Sequence, residues 1–289
     1  MERTWDWSVT GSDLGSLTHE QIRKLCRFAG LAGIEGHQQL FEGLRKNELD
    51  AVAGTYRDEG LRFSTFHLPY GGPEFDLAAF YETQRRGAVD HAKRWIENSA
   101  TLGCRIGVTH PTENDYGVEV EGFDRYLGQL GRSLEQLLPF AEGFDYTVAV
   151  ENMPAERRPD TWFGSVPKHF EAFIKHFDHP QLGFTFDGGH ALVANGPHQF
   201  DELLEVMSAK VVAFHLSDNA GDRDSHLAPG HGLVDWGKVF RLAARTGFDG
   251  IMCIETAPFA PGPVPTSESY RKMVQDTDAL IANTPADPR

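Results

Sequence analysis

Apolar positions along this chain fall into two alternating patterns. Short runs rich in Val, Ile, Phe and Leu, each followed by a polar or glycine-containing segment, read as buried strands. Between them lie longer stretches whose apolar residues recur at helical spacing. The strand runs are Thr4–Val9, Gly33–Gly36, Leu61–Phe66, Arg105–Thr109, Tyr146–Val150, Leu182–Phe186, Val211–Phe214 and Gly250–Ile254. The first helix is expected to run to about Ala29, with Thr18 as its cap and Gln21 in the capping-box position. Further helices are expected to end at about Glu59 and to cover roughly Leu77–Leu102, Phe123–Ala141, Val166–Phe177, Gln199–Met207, Trp236–Thr246 and Ser267–Ile281. Eight strand-then-helix units in one chain predict an α/β fold, a (β/α)₈ TIM barrel of parallel strands. One domain is expected over residues 1–289, with a loosely ordered tail from about Asn283. The Pro-rich run from Ala257 to Pro265 follows the eighth strand and would form a stiff loop on the barrel rim.

Composition narrows the picture. The 289 residues, 40% of them hydrophobic, suffice for one large core. Twenty-seven basic against 42 acidic residues leave a formal charge of −15, which disfavours non-specific binding to nucleic acid. No run reaches the roughly 18 apolar residues of a membrane span, and Met1-Glu-Arg-Thr-Trp5 does not open like a signal peptide. Cys26, Cys104 and Cys253 each sit in an apolar pattern, an odd set that reads as buried free thiols in a cytoplasmic protein. The other histidines, among them His91, His169, His176 and His179, read as surface residues, and Trp5, Trp7 and Trp236 as barrel packing.

Candidate chemistry lies where the strands end. The third strand closes on His67, the fourth on His110, the fifth on Glu151, the sixth on Asp187, the seventh on His215 and the eighth on Glu255. In a parallel barrel these ends converge on one pocket. Each of the six side chains can ligate a metal, although such residue types make up only roughly a seventh of an ordinary sequence. His190 follows Asp187 by three residues, and the polar loop after the seventh strand carries Asp224 and His226. In an extended segment those two would face one side. Imidazole and carboxylate together suit zinc, manganese, iron or cobalt, and the number of donors leaves room for more than one ion. Without a cation, converging carboxylates would repel. Arg157 and Arg158 follow the fifth strand and are placed either to meet a substrate phosphate or carboxylate or to remain solvated loop charges.

At these residues the chain resembles the xylose-isomerase-like barrels, which include sugar and sugar-phosphate isomerases and epimerases and the endonuclease IV type of apurinic-site nuclease. The matching pieces run from Phe66-His-Leu-Pro-Tyr70 and Val108-Thr-His-Pro111 through Val150-Glu-Asn-Met-Pro154, Phe186-Asp-Gly-Gly-His190 and Phe214-His-Leu-Ser-Asp218 to Ile254-Glu-Thr256. Likeness to the epimerase branch implies one divalent ion held by Glu151, Asp187, His215 and Glu255. The two glutamates then serve as acid and base through an enediolate. Tyr70, a candidate substrate contact, keeps the tyrosine that follows the third-strand histidine in the nuclease and so leaves that branch open. Likeness to the nuclease branch implies three zincs on nine ligands, adding His67, His110, His190, Asp224 and His226. Two departures count against the nuclease. The stretch after the second strand, Gly36-His-Gln-Gln-Leu-Phe-Glu42, has no Lys or Arg, and Asp218-Asn-Ala220 lacks the nuclease's lysine. The expectation is therefore a metal-dependent isomerase or epimerase of a small sugar or sugar derivative, with no nucleic-acid or membrane partner and a homo-oligomer left open. An endonuclease IV-like tri-zinc phosphodiesterase is the alternative.

Overall fold

The computed structural model describes residues 5–114, 117–155, 162–258 and 265–285. Its strands are β1 Asp6–Thr10, β2 Gly33–His37, β3 Arg62–His67, β4 Ile106–Thr109, β5 Thr147–Glu151, β6 Leu182–Asp187, β7 Val211–His215 and β8 Ile251–Ile254. All pair in parallel, each with its neighbour in sequence, and β8 closes on β1. The expected parallel eight-stranded barrel is therefore what the chain forms. Its helices are α1 His19–Ala29, α2 Lys46–Asp58, α3 Glu82–Thr101, α4 Val118–Glu121, α5 Phe123–Glu142, α6 Pro167–His176, α7 Gly188–Met207, α8 Trp236–Arg245 and α9 Ser267–Ala282.

Strand alternation divides the core in two. Trp7, Val9, Ile34, Phe66, Val150, Phe184, Phe186 and Phe214 are buried and form the apolar layer between strands and helices. Phe66 stacks on Trp95 of α3, and Phe186 meets Phe200 of α7 edge-on. The alternate positions are small or polar: Ser8, Thr10, Glu35, Thr65, Thr185 and Cys253, all buried. The barrel interior is thus built to hold hydrogen-bonding groups, a departure from the branched apolar filling usual in such barrels.

Capping explains several helix starts. Thr18 accepts from the Gln21 amide, and the Gln21 side chain accepts from the Thr18 amide, as the capping box requires. Gly30 ends α1 at φ 77°, a left-handed position that favours glycine.

The structure corrects the sequence reading in several places. The helix expected from Leu77 begins at Glu82. Residues 77–81 are held instead by side chains: Asp76 accepts from the Ala78 amide, Ser133 donates to Leu77 O, and Gln129 donates to Ala79 O. The helix expected from Gln199 is present, and a helical segment the sequence reading missed, starting at Gly188 and capped by the Asp187 carboxylate, joins it across a kink at Gly196, where φ is 60° and ψ −178°. The Gly188-Gly189 pair reads locally as a loop. A Cβ at Gly188 would stand 3.2 Å from Trp236 and Val234, a tight fit, and one at Gly189 would strike the Ser217 hydroxyl, so close packing demands glycine at 189. His169 is buried; its Nδ1 accepts from the Gly164 and Ser165 amides while its ring stacks on Phe123. Thr284, expected in the loose tail, is buried and donates to Leu280 O. The three cysteines are free and buried. Trp7 and Trp5 are buried and donate through their indole nitrogens to Asp278 and Phe248 O. Arg157, Arg158 and residues 259–264 of the Pro-rich run lie outside the described residues.

Candidate metal centre

Strand register brings the strand-end side chains to one level. Asp187 pairs with His215 across β6 and β7, and Glu151 with Thr185 across β5 and β6. Ligand atoms of Glu151, Asp187, His215 and Glu255 all lie within 4.8 Å of one another, and all four residues are buried. His215 Nδ1 stands 2.9 Å from Glu151 Oε1 and 3.0 Å from Glu255 Oε2. Two more groups share this pocket. His67 and His110 meet Glu151, and His190 meets Asp224 and His226, again within 4.8 Å. Every residue expected at the site, apart from Arg157, is therefore at one end of the barrel.

The Asp224–His226 pair arrives by a route the sequence does not suggest. The segment is not extended, since His226 has φ 43°. Its ring is turned back so that Nε2 lies 3.0 Å from Asp224 Oδ2. The loop that carries both is tied by Asp218. That carboxylate accepts from the amides of Asn219, Gly230 and Val234 and from the Trp236 indole, while its backbone pairs with Leu227. Asp218, which closes the matching piece from Phe214 and precedes the Asn219-Ala220 departure from the nuclease motif, is the knot of this loop.

The histidines share one arrangement: one nitrogen is anchored and the other faces a carboxylate of the cluster. His67 Nδ1 donates to Leu68 O, His190 Nδ1 to Asn152 O and His226 Nδ1 to Glu255 O. A carbonyl only accepts, so these rings carry hydrogen on Nδ1 and present Nε2 to the site. His110 Nδ1 is 2.9 Å from Glu113. His215 is reversed: its Nε2 is held by Glu35, and Nδ1 faces the cluster. Asp187 is fixed by its own amide on Asn152, by the His190 amide and by Ser217 Oγ, 3.0 Å from both carboxylate oxygens.

Glu35, His37, Glu113, Asn152 and Ser217 are the residues that reading strand ends from sequence misses. His37 was within reach, because extending the second strand by one residue makes His37 its closing side chain. Glu35 carried a signal too, an acid flanked by Ile34 and Gly36 inside an otherwise apolar strand.

The electrostatics fit a cation. Burial pushes the Asp187 carboxyl up to about 7, with the Glu255 and Glu151 charges adding to the effect against His190. Burial works against ionisation of Glu151 and Glu255, yet His215 outweighs it and holds both below the usual carboxylate range. Burial likewise opposes charging His215, and Glu255, Glu35 and Glu151 overcome it, raising its pKa well above normal. The buried Oε2 atoms of Glu151 and Glu255 make no hydrogen bond, the latter although His215 Nδ1 is 3.0 Å away. Buried acceptors without donors, beside histidine nitrogens with anchored backs, form a donor set that could hold a divalent metal.

Beside the cluster a cleft of about 280 Å³ opens over the ends of β1–β3, lined by His37, Gln38, Glu42, His67, Tyr70 and neighbouring residues. The Tyr70 ring lies 4.2 Å from that of His67 and 4.9 Å from that of His110.

Fold and site together define a class, and comparison agrees: the chain belongs to the xylose isomerase-like TIM barrel family, whose model matches residues 24–275. Among curated relatives it is 28% identical over 193 residues to the uncharacterized protein MJ1311 of Methanocaldococcus jannaschii, covering 65% of this chain and 62% of that protein. It is 25% identical over 183 residues to y4fM of Sinorhizobium fredii, covering 63% of this chain and 56% of that one. The matches thus span less than two thirds of those relatives. Similar solved structures include a D-tagatose 3-epimerase-like protein, with TM-score 0.78, 21% identity and 96% and 97% of the two chains covered. The 3-keto-D-glucoside 4-epimerase YcjR of E. coli aligns with TM-score 0.76, 16% identity and 96% and 99% coverage. A D-psicose 3-epimerase aligns with TM-score 0.75, 13% identity and 96% and 97% coverage. At these identities the structural likeness speaks to fold. No helix among the described residues is long and apolar enough to cross a membrane.

Proposed function

We propose that this protein is a divalent-metal-dependent isomerase or epimerase of a small sugar or sugar derivative. One observation carries the reading: two glutamates at the ends of strands three apart in the barrel, Glu151 and Glu255, converge on one buried point with Asp187 and His215, each glutamate with a carboxylate oxygen free of hydrogen bonds. A divalent ion bound there supplies Lewis acidity, polarising a carbonyl and offsetting the charge of an enediolate. Glu151 and Glu255, both held in the base form by His215, act on the carbon next to that carbonyl. One takes its proton and the other returns one. His67, His110 and Tyr70 line the approach and suit hydrogen bonding to hydroxyls. The cleft beyond them is lined by no Lys or Arg among the described residues and includes Glu42, which supports an uncharged polyhydroxylated chain. Buried free thiols support a cytoplasmic location.

The test is exchange of carbon-bound hydrogen. Protein loaded with Mn²⁺, Co²⁺ or Zn²⁺ is incubated with a panel of aldoses and ketoses in heavy water and followed by NMR. Deuterium at the carbon beside the carbonyl is expected for at least one sugar. No incorporation across the panel with a metal-loaded protein defeats the proposal.

A second reading draws on a specific observation as well. The groups His67–His110–Glu151 and His190–Asp224–His226 complete three ligand sets around one pocket. Three zincs per chain and cleavage of abasic duplex would make the protein a phosphodiesterase. The charge of −15 and the absence of Lys and Arg from Gly36–Glu42 count against a DNA backbone.

A further inference from the structure

We propose that Glu35, on β2, is a positioning residue that turns His215 to present Nδ1, and not Nε2, to the metal. The role rests on the proposed function, since it concerns a ligand of the ion invoked there.

The argument begins in the sheet. Across β2 and β3, Ile34 pairs with Phe63 and Gly36 with Phe66, so Ser64 and Thr65 both stand opposite Glu35. This bulge sits where Glu35 points into the barrel, and bulges beside active sites re-aim side chains. Its neighbours are small by necessity. A Cβ at Gly36 would strike the Phe66 ring, so Gly36 lets the two strands approach at the bulge.

Glu35 is fully buried and its carboxylate is fully used. Oε2 accepts from the Thr65 hydroxyl at 2.7 Å and lies 2.9 Å from His215 Nε2, while Oε1 lies 3.3 Å from His37 Nε2. His37 is in turn placed by Thr10 Oγ1 at 3.0 Å. Glu35, His215 and Cys253 also lie close enough to grip an ion of their own. That alternative fails on chemistry. Both Glu35 oxygens already have partners, Thr65 and His215 on Oε2 and His37 on Oε1. Glu35 is therefore built to hold a hydrogen on His215 Nε2.

The orientation matters because His215 is the odd ring of the set. His67, His190 and His226 are anchored through Nδ1 by backbone carbonyls, which any sequence supplies. His215 is anchored through Nε2 by a side chain 180 residues away. A carboxylate partner also leaves the opposite nitrogen more basic than a carbonyl would. Nothing else among the described contacts of His215 Nε2 would choose its orientation.

The experiment compares wild type with Glu35→Gln, Glu35→Asp and Thr65→Val by Co²⁺ titration, reading both affinity and the visible spectrum of the bound ion. Two-dimensional ¹⁵N NMR of histidine-labelled, Zn²⁺-loaded wild type reads which His215 nitrogen carries hydrogen. Expected are hydrogen on Nε2 and a roughly 10- to 100-fold loss of affinity in Glu35→Gln with an altered spectrum. A smaller loss is expected in Thr65→Val, which keeps the carboxylate but frees it, and partial recovery in Glu35→Asp. Circular dichroism confirms folding, and the near-isosteric Gln variant and the Thr65 variant keep the test open if another variant is unstable. Wild-type affinity and spectrum in Glu35→Gln, or hydrogen on Nδ1 in the Zn²⁺ form, overturns the role while leaving the function standing. A wild-type protein that binds no divalent ion overturns both.

Discussion

Asp218→Asn tests how the second group of ligands is held. The Asp218 carboxylate is buried and receives four N–H donors: Asn219 and Val234 on Oδ1, Gly230 and the Trp236 indole on Oδ2, at 2.9–3.0 Å. Asparagine keeps the shape but replaces one acceptor oxygen with a donor. Two of the four N–H groups then face an NH₂, and the other two meet a neutral oxygen. A hydrogen bond to a charged group contributes about 1.5–3 kcal/mol and a neutral one about 0.5–1.5. Losing two of the first kind and weakening two to the second costs about 5–9 kcal/mol at most. Relaxation of the exposed loop brings the expected value to about 3–4 kcal/mol. At about 1.4 kcal/mol per tenfold, amide exchange at Gly230 and Val234 should quicken by several hundredfold. If the whole barrel shares the loss, the melting temperature should fall by about 6–8 °C. The Asp224–His226 pair hangs on this loop, so its contribution to metal binding should weaken in parallel. Hydrogen exchange followed by mass spectrometry, with a thermal melt alongside, gives both numbers. Unchanged protection of Gly230 and Val234 with a melt within about 1 °C of wild type would refute the view that this carboxylate ties the loop.

Glu151→Gln and Glu255→Gln are each expected to fold and to lower carbonyl-proton exchange by at least about 10³-fold; wild-type exchange rates in either would remove the acid/base assignment. The metal-free protein should lose stability as pH rises. Asp187, raised to about 7, binds a proton when folded that the unfolded chain has released above about pH 4, and His226, raised to about 10, does the same above about pH 6.5. Asp187 lowers stability between about pH 4 and 7 and His226 between about pH 6.5 and 10, and a divalent ion, which favours the ionised carboxylate and neutral imidazole, should stabilise more at pH 8 than at pH 5. Melts at those two pH values, with and without Mn²⁺, check the sign, and equal stabilisation at both would count against an ion at this cluster. Gly189→Ala should press on Ser217 and loosen its grip on Asp187, giving a loss of ion affinity near that of Ser217→Ala, roughly tenfold. Calorimetry showing no loss in either would mean Ser217 does not orient Asp187.

How much of this was legible beforehand depends on whether the governing force was local. The barrel was, because period-2 and period-3.6 patterns alternate through the chain and right-handed crossovers leave one way to close them. The convergence of the strand-end candidates was legible for the same reason: once strand ends are known, a parallel barrel brings them together whatever the loops do. Helix starts failed where side chains from elsewhere replaced helical hydrogen bonds, as Ser133 and Gln129 do for residues 77–81. The glycine pair before His190 reads as a loop because its purpose, clearance from Trp236 and Ser217, is set by residues far along the chain.

The sequence alone determined the kind of scaffold and the set of groups able to grip a cation, since both follow from spacing along the chain. Only the tertiary structure decided which nitrogen of each histidine faces the pocket, that Asp218 ties a loop, and that Glu35 reaches across the barrel to His215. Those choices are made by hydrogen bonds between residues tens to hundreds of positions apart. Their geometry exists only after the strands have closed, so no local pattern encodes it.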